Sequence, residues 1–145
     1  MGDTPNQLKA PICCDNCRSK NIALLKSEIK HEDNPTKWIW IYLCHDCNAK
    51  VACHPNSFLP MGLMADGFTR SLRKRAHAVF DPIWQSGLKT RARAYEWLAD
   101  QLVINVGRCH ISWLNVAQLK TVIKLSVAYF SENEHIAERR KAKRN

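Results

Sequence analysis

The sequence predicts an α+β fold: a small Cys-rich β module at the N-terminus, packed with a C-terminal region of three helices. Three observations lead there. Two C-x2-C pairs bracket a stretch rich in aromatic and β-branched residues. Three later segments place apolar side chains at helical spacing. Six of the seven cysteines precede His54, whereas most of the excess positive charge follows it.

The cysteine pairs are Cys14-Asp15-Asn16-Cys17 and Cys44-His45-Asp46-Cys47, separated by 26 residues. A C-x2-C turn offers two thiolates on one side with backbone N–H groups aimed at the sulfurs, and two such knuckles complete a tetrahedral shell. Between them, Asn21 to Ile29 reads as a strand, His31-Glu32-Asp33-Asn34-Pro35 as a turn and Lys37 to Leu43 as a second strand. Val51 to His54 supplies a short third one. Knuckle, hairpin, knuckle and strand make a zinc ribbon, expected over residues 13–60 after an arm at 1–12. One structural Zn2+ on Cys14, Cys17, Cys44 and Cys47 follows, since four sulfurs leave no open coordination position. Cys13 is an alternative to Cys14, at the less regular C-x3-C spacing. Cys53-His54 and Cys109-His110 read as packing pairs, with a second metal or a catalytic role as the minor alternative.

The helical region is expected over residues 61–131. Its first helix, Ala65 to Phe80, has Asp66 as N-cap and buries Phe68, Leu72, Ala76 and Val79, with Asp81-Pro82 as its stop. Ile83 and Trp84 then plug into the core. Thr90 opens a second helix to about Ile104, with Tyr95, Leu98, Ala99 and Leu102 inward. After a connector, Asn115 caps a third helix from Val116 to about Phe130, with Val116, Leu119, Ile123, Val127 and Phe130 inward. Beyond Glu132 no periodicity requires order, and residues 132–145 read as a basic tail.

Composition sets the partner class. The formal charge is +9, of which residues 1–60 carry only +1. Four metal-bound thiolates and one Zn2+ would lower the total to about +7 and leave the helices and tail as the basic part. No apolar run approaches the length that spans a bilayer, and Met1 to Pro11 has no hydrophobic stretch behind a basic start. A cytoplasmic protein with neither membrane nor small-molecule partner is therefore expected.

The strings Cys14, Cys17, Ser19; Tyr42-Leu43-Cys44 with Cys47; and Ala52-Cys53-His54 resemble a phage- and prophage-associated zinc-finger-containing family of unknown function. Arg75 to Gly87, Ala94 to Ala99 and Cys109-His110-Ile111 resemble its other signature segments, so the likeness covers roughly Cys14 to Leu125. The resemblance implies the same four zinc ligands and a phage context, without a settled biochemistry.

The function expected is non-enzymatic binding of nucleic acid, DNA or RNA. The candidate contacts are Arg70, Arg73, Lys74, Arg91 and Arg93 on the helices, Arg139, Arg140, Lys141, Lys143 and Arg144 in the tail, and Trp38 and Trp40 as base-stacking rings. The alternative is a protein-binding regulator or inhibitor that grips a host machine such as RNA polymerase, a nuclease or a defence complex. A metal-dependent nuclease is the least favoured reading, because no His/Asp/Glu constellation stands at a motif spacing; His77 and Asp81 are its nearest approach.

Overall fold

The computed structural model describes residues 7–27 and 39–144, with the side chain of Arg144 left aside. Ile29, the turn at His31 to Pro35, and Trp38 lie outside the described residues. Spatial contacts divide the chain into two compact units, Met1–Arg70 and Ser71–Asn145.

The first unit is built on three antiparallel strands, β1 (Ile22–Lys26), β2 (Trp40–Cys44) and β3 (Lys50–Ala52), with β2 central. Leu24 lies opposite Tyr42, and Tyr42 opposite Val51. Side chains alternate along a strand, so this register collects Ile22, Leu24, Tyr42, Cys44 and Val51 on one face. Cys14, Ala49, Cys53 and Met64 complete the small core there. The Tyr42 hydroxyl donates to the Phe58 carbonyl at 2.8 Å, which satisfies its one polar atom and ties down the loop after β3.

Three helices follow, α1 (Gly67–Gln85), α2 (Arg91–Leu102) and α3 (Val116–Arg144), with two short 3₁₀ turns between α2 and α3. Each expected cap is in place. The Asp66 carboxylate accepts from the Thr69 N–H at 2.8 Å, and the Thr90 hydroxyl from the Arg93 N–H at 3.2 Å. Asn115 and Gln118 exchange side-chain and backbone hydrogen bonds at 2.8 and 3.0 Å, a reciprocal capping box. The second unit's core holds Leu72, Ala76, Phe80, Ile83, Leu98, Leu119 and Val122, with Phe80 edge-on to Tyr95.

Two helix ends differ from expectation. First, α1 runs through Asp81-Pro82 to Gln85. Pro82 has no N–H for the Ala78 carbonyl, and an interior proline costs about 3 kcal/mol. Phe80 and Ile83 flank it and are both fully buried. Burial contributes about 1.5–3 kcal/mol for each, which together offsets the proline. Second, α3 continues past Phe130 to Arg144, so the tail is helical. Residues 132–144 are rich in Glu, Ala, Lys and Arg, all good helix formers. Ala137 is buried, and the Arg140 guanidinium donates to the Gly87 carbonyl in the α1–α2 loop. Ala137 continues the face of Leu119, Val122, Ser126 and Phe130, but between Phe130 and Ala137 that face carries the polar Asn133, and the stripe fades in the sequence.

Inward faces also needed correction. Phe68 is 57% exposed and Val127 50% exposed, whereas Leu119, Val122, Ser126 and Ala137 are the buried α3 positions. The α3 stripe is therefore rotated relative to the one its apolar residues suggest.

Candidate metal centre

The two knuckles have the same backbone form. The Arg18 N–H donates to the Cys14 carbonyl and the Asn48 N–H to the Cys44 carbonyl, both at 2.9 Å. In return, the Cys14 N–H donates to the Ser19 carbonyl at 2.7 Å and the Cys44 N–H to the Ala49 carbonyl at 2.9 Å. The residue after each second cysteine is left-handed, with φ 66° at Arg18 and 63° at Asn48. Asparagine adopts this region readily; arginine does so at a cost that its place in the knuckle imposes.

Apposed knuckles bring the four sulfurs of Cys14, Cys17, Cys44 and Cys47 within 4.8 Å of one another. The cross-knuckle pairs Cys14–Cys47 and Cys17–Cys44 are each 3.6 Å apart. A tetrahedral site with bonds of about 2.3 Å has sulfurs about 3.8 Å apart, so the cluster fits zinc. The same distances are far beyond a disulfide bond, and all seven cysteines are free. Cys14 and Cys44 are buried, Cys47 is half-buried and Cys17 exposed, so the site sits at the rim of the β core.

Local donors ease charge onto this cluster unevenly. The Asn16 side-chain amide, at 3.5 Å from the Cys47 sulfur, and the Ala49 N–H bring the Cys47 thiol down to about 6. The Ser19 N–H lowers Cys17, but burial and the other three sulfurs outweigh it and push that thiol up to about 12. Burial raises Cys14 as well. One thiolate thus forms easily, and further charge requires a cation in the middle. Zinc supplies two positive charges there and displaces the remaining protons, acting as a structural link.

A polar clasp joins the knuckles outside the sulfurs. Asp46 accepts from the Ser19 hydroxyl and from the Asn21 amide, the latter at 3.2 Å. These bonds hold the Asp46 carboxyl below its usual range. The His45 N–H donates to the Asn21 carbonyl at 2.9 Å. On the opposite side, Asp15 accepts from the Met64 N–H at 2.8 Å. Sequence reasoning missed Asn16, Asn21 and Asp46, since short polar residues in a turn look alike until the second knuckle lies against the first.

The remaining candidate residues disperse. Cys53 is fully buried in the β core, where burial raises its thiol, and His54 is exposed. Cys109 lies in the helical core with its thiol pushed up to about 11 by burial, so it packs as a small apolar group. His110 packs against Trp113 with ring centroids 4.2 Å apart and planes tilted by 43°. Neither pair joins the metal cluster. His77 and Asp81 do meet, at 3.2 Å, with the Trp84 indole also donating to Asp81.

Among the basic candidates, Arg70 donates to the Asp66 carbonyl at 3.3 Å, Arg73 is half-buried and Lys74 exposed. Arg93 pairs with Glu96 at 3.2 Å, and Arg91 lies over the rings of Trp84 and Tyr95, 5.7 and 4.9 Å from their centroids. Trp40 is not an open ring: it is half-buried against the β core and edge-on to Phe58 at 5.2 Å. Arg139, Arg140, Lys141 and Lys143 lie exposed on the last turns of α3. Among the described residues, no helix is long and apolar enough to cross a membrane.

No curated protein and no solved structure matches the chain. Residues 10–129, however, match the profile of a zinc-finger-containing domain, a span that takes in both knuckles, the sheet, α1, α2 and the first half of α3. With four sulfurs disposed for one structural zinc inside that span, the chain belongs to this zinc-finger-containing family.

Proposed function

We propose that this chain is a non-enzymatic, phage-encoded protein that binds nucleic acid through the basic surface of its helical unit in the host cytoplasm. The observation that carries the reading is the hydrogen bond from Arg140 to the Gly87 carbonyl. It ties the last turns of α3 to the loop that leads into Lys89 and Arg91. Two basic clusters some 50 residues apart in sequence are thereby held together. None of Arg139, Lys141 and Lys143 forms an ion pair among the described residues. Residues 138–143 hold four basic side chains against the one carboxylate of Glu138, and a polyanion relieves the repulsion that remains. The cluster of Arg70, Arg73 and Lys74 at the start of α1 offers a further contact. The phage origin rests on the likeness of the signature segments.

Fluorescence anisotropy with DNA and RNA oligonucleotides, single-stranded and duplex, tests this. Affinity should fall steeply between about 50 and 200 mM salt. Changing Arg139, Lys141 and Lys143 together to Glu should weaken it about 100-fold or more, with a shallower salt slope. Equal binding by that variant would sink the reading.

A second reading, a regulator that binds a host protein machine, is favoured by the apolar side chains that the first unit shows to solvent, Phe58 at 56% and Met61 at 43% exposure. Capture from nuclease-treated host lysate separates the two: stoichiometric protein partners that survive the nuclease support it, and their loss supports nucleic acid.

A further inference from the structure

An exposed stripe of α3, running along the groove it forms with α1, carries a charge pattern that the nucleic-acid reading does not use. Lys120, Lys124, Val127, Ser131, Glu134 and Glu138 follow one another at alternating spacings of four and three residues, and every one is exposed. That spacing aligns them as a single stripe along the helix, the stripe through which helices pair. Val127, half exposed, sits near its middle beside a groove of about 370 Å3 whose other wall is Val79 and Pro82 of α1.

The order of charges along the stripe is two positive, two neutral, two negative. Along the helix itself, Lys120–Lys124 and Glu134–Glu138 set like charges four residues apart, an unfavourable spacing. A second α3 laid antiparallel reverses the sign of each interaction. With the two-fold axis level with position 129, Lys124 and Glu134 lie five residues to either side. Lys120 and Glu138 lie nine to either side, and Val127 and Ser131 two. Each lysine of one copy then faces a glutamate of the other, and Val127 is covered at the centre. The stripe is self-complementary under a two-fold, the symmetry an isologous dimer requires.

We propose that the exposed face of α3 is a homodimer interface, formed by antiparallel pairing of two copies about position 129. The Pro82–Val79 wall of α1 flanks the apolar centre and gives Val127 of the second copy a place to pack.

Sedimentation velocity on the zinc-loaded, nuclease-treated full chain tests this across a range of concentration. A monomer–dimer equilibrium is expected that weakens with salt. Lys124→Glu or Glu134→Lys should each raise the dimer Kd about 10-fold or more, since either change sets like charges face to face at two symmetric points. The double variant Lys124→Glu/Glu134→Lys should regain wild-type association, because the pairs are restored with signs exchanged. Val127→Arg should give monomer at every concentration. All three positions are exposed, so far-UV circular dichroism of each variant should remain that of the wild type. A chain that stays monomeric up to about 1 mM, the edge of measurable affinity, would overturn the proposal. So would a dimer indifferent to Val127→Arg, or a charge swap that fails to restore what the single reversals remove.

Discussion

Val103 closes α2 with φ 56° and ψ 49°, left-handed values that a β-branched residue rarely takes. The hydrogen bonds around it explain why it stays there: the Ile104 N–H reaches back to the Ala99 carbonyl at 3.0 Å and the Val103 N–H to Asp100 at 3.2 Å, the pattern of a Schellman end. Its side chain is 88% exposed, so no packing is gained in return. Val103→Gly should therefore raise the stability of the helical unit by about 1 kcal/mol, the left-handed penalty less the added entropy of the unfolded chain. Urea titration followed at 222 nm measures it, and a loss of stability would contradict the assignment of strain. The same conformation at Arg18 has a different meaning, because there the turn presents Cys14 and Cys17 to the metal.

Among the elements, α1 shows how a terminus is set by one side chain. Asp66 accepts from the Thr69 N–H and stands at the positive end of the helix, which holds its carboxyl below the usual range. Asp66→Ala should cost about 1 kcal/mol at neutral pH. A carboxyl lowered in the folded state stabilises above its unfolded value, near 3.8, and loses that contribution as pH falls through the folded value. The gap between wild type and variant should thus be full at pH 7 and shrink below about pH 4. A gap that widens in acid would rule out the ionised cap. The other end of α1 and the length of α3 were not legible in the sequence. Pro82 is an ordinary stop signal, overridden here by the burial of Phe80 and Ile83, and the run of charges after Glu132 has little apolar pattern to show that Ala137 and Arg140 anchor it.

Taken whole, the chain has two units that depend on different forces. In the first, the core cluster is Cys14, Tyr42, Cys44, Ala49, Cys53 and Met64, and two of the six are zinc ligands. Such a core is too small to carry the fold alone, and metal binding contributes on the order of 10 kcal/mol. The helical unit has its own larger core, and no residue of it belongs to the metal cluster. Chelation should release one zinc per chain and change the emission of Trp40, while most of the helical signal at 222 nm survives. Retention of the native spectrum without zinc, or loss of all helix with it, would refute this division. Two zinc ions per chain would return Cys53, His54, Cys109 and His110 to consideration as ligands.

By itself the sequence determined what depends on local chemistry. The C-x2-C spacing specified four ligands and one metal, the aromatic and β-branched residues around Trp40 to Leu43 a strand, and Asp66, Thr90 and Asn115 the starts of three helices. Each of these is a rule about residues close in the chain. Tertiary structure alone decided which polar groups brace the metal, how far α1 and α3 extend, which α3 face is buried, and that the basic tail meets the α1–α2 loop. The bonds responsible, Ser19 to Asp46 and Arg140 to Gly87, span 27 and 53 residues. Contacts at that separation leave no local pattern, because the partner's position is set by the packing of everything between.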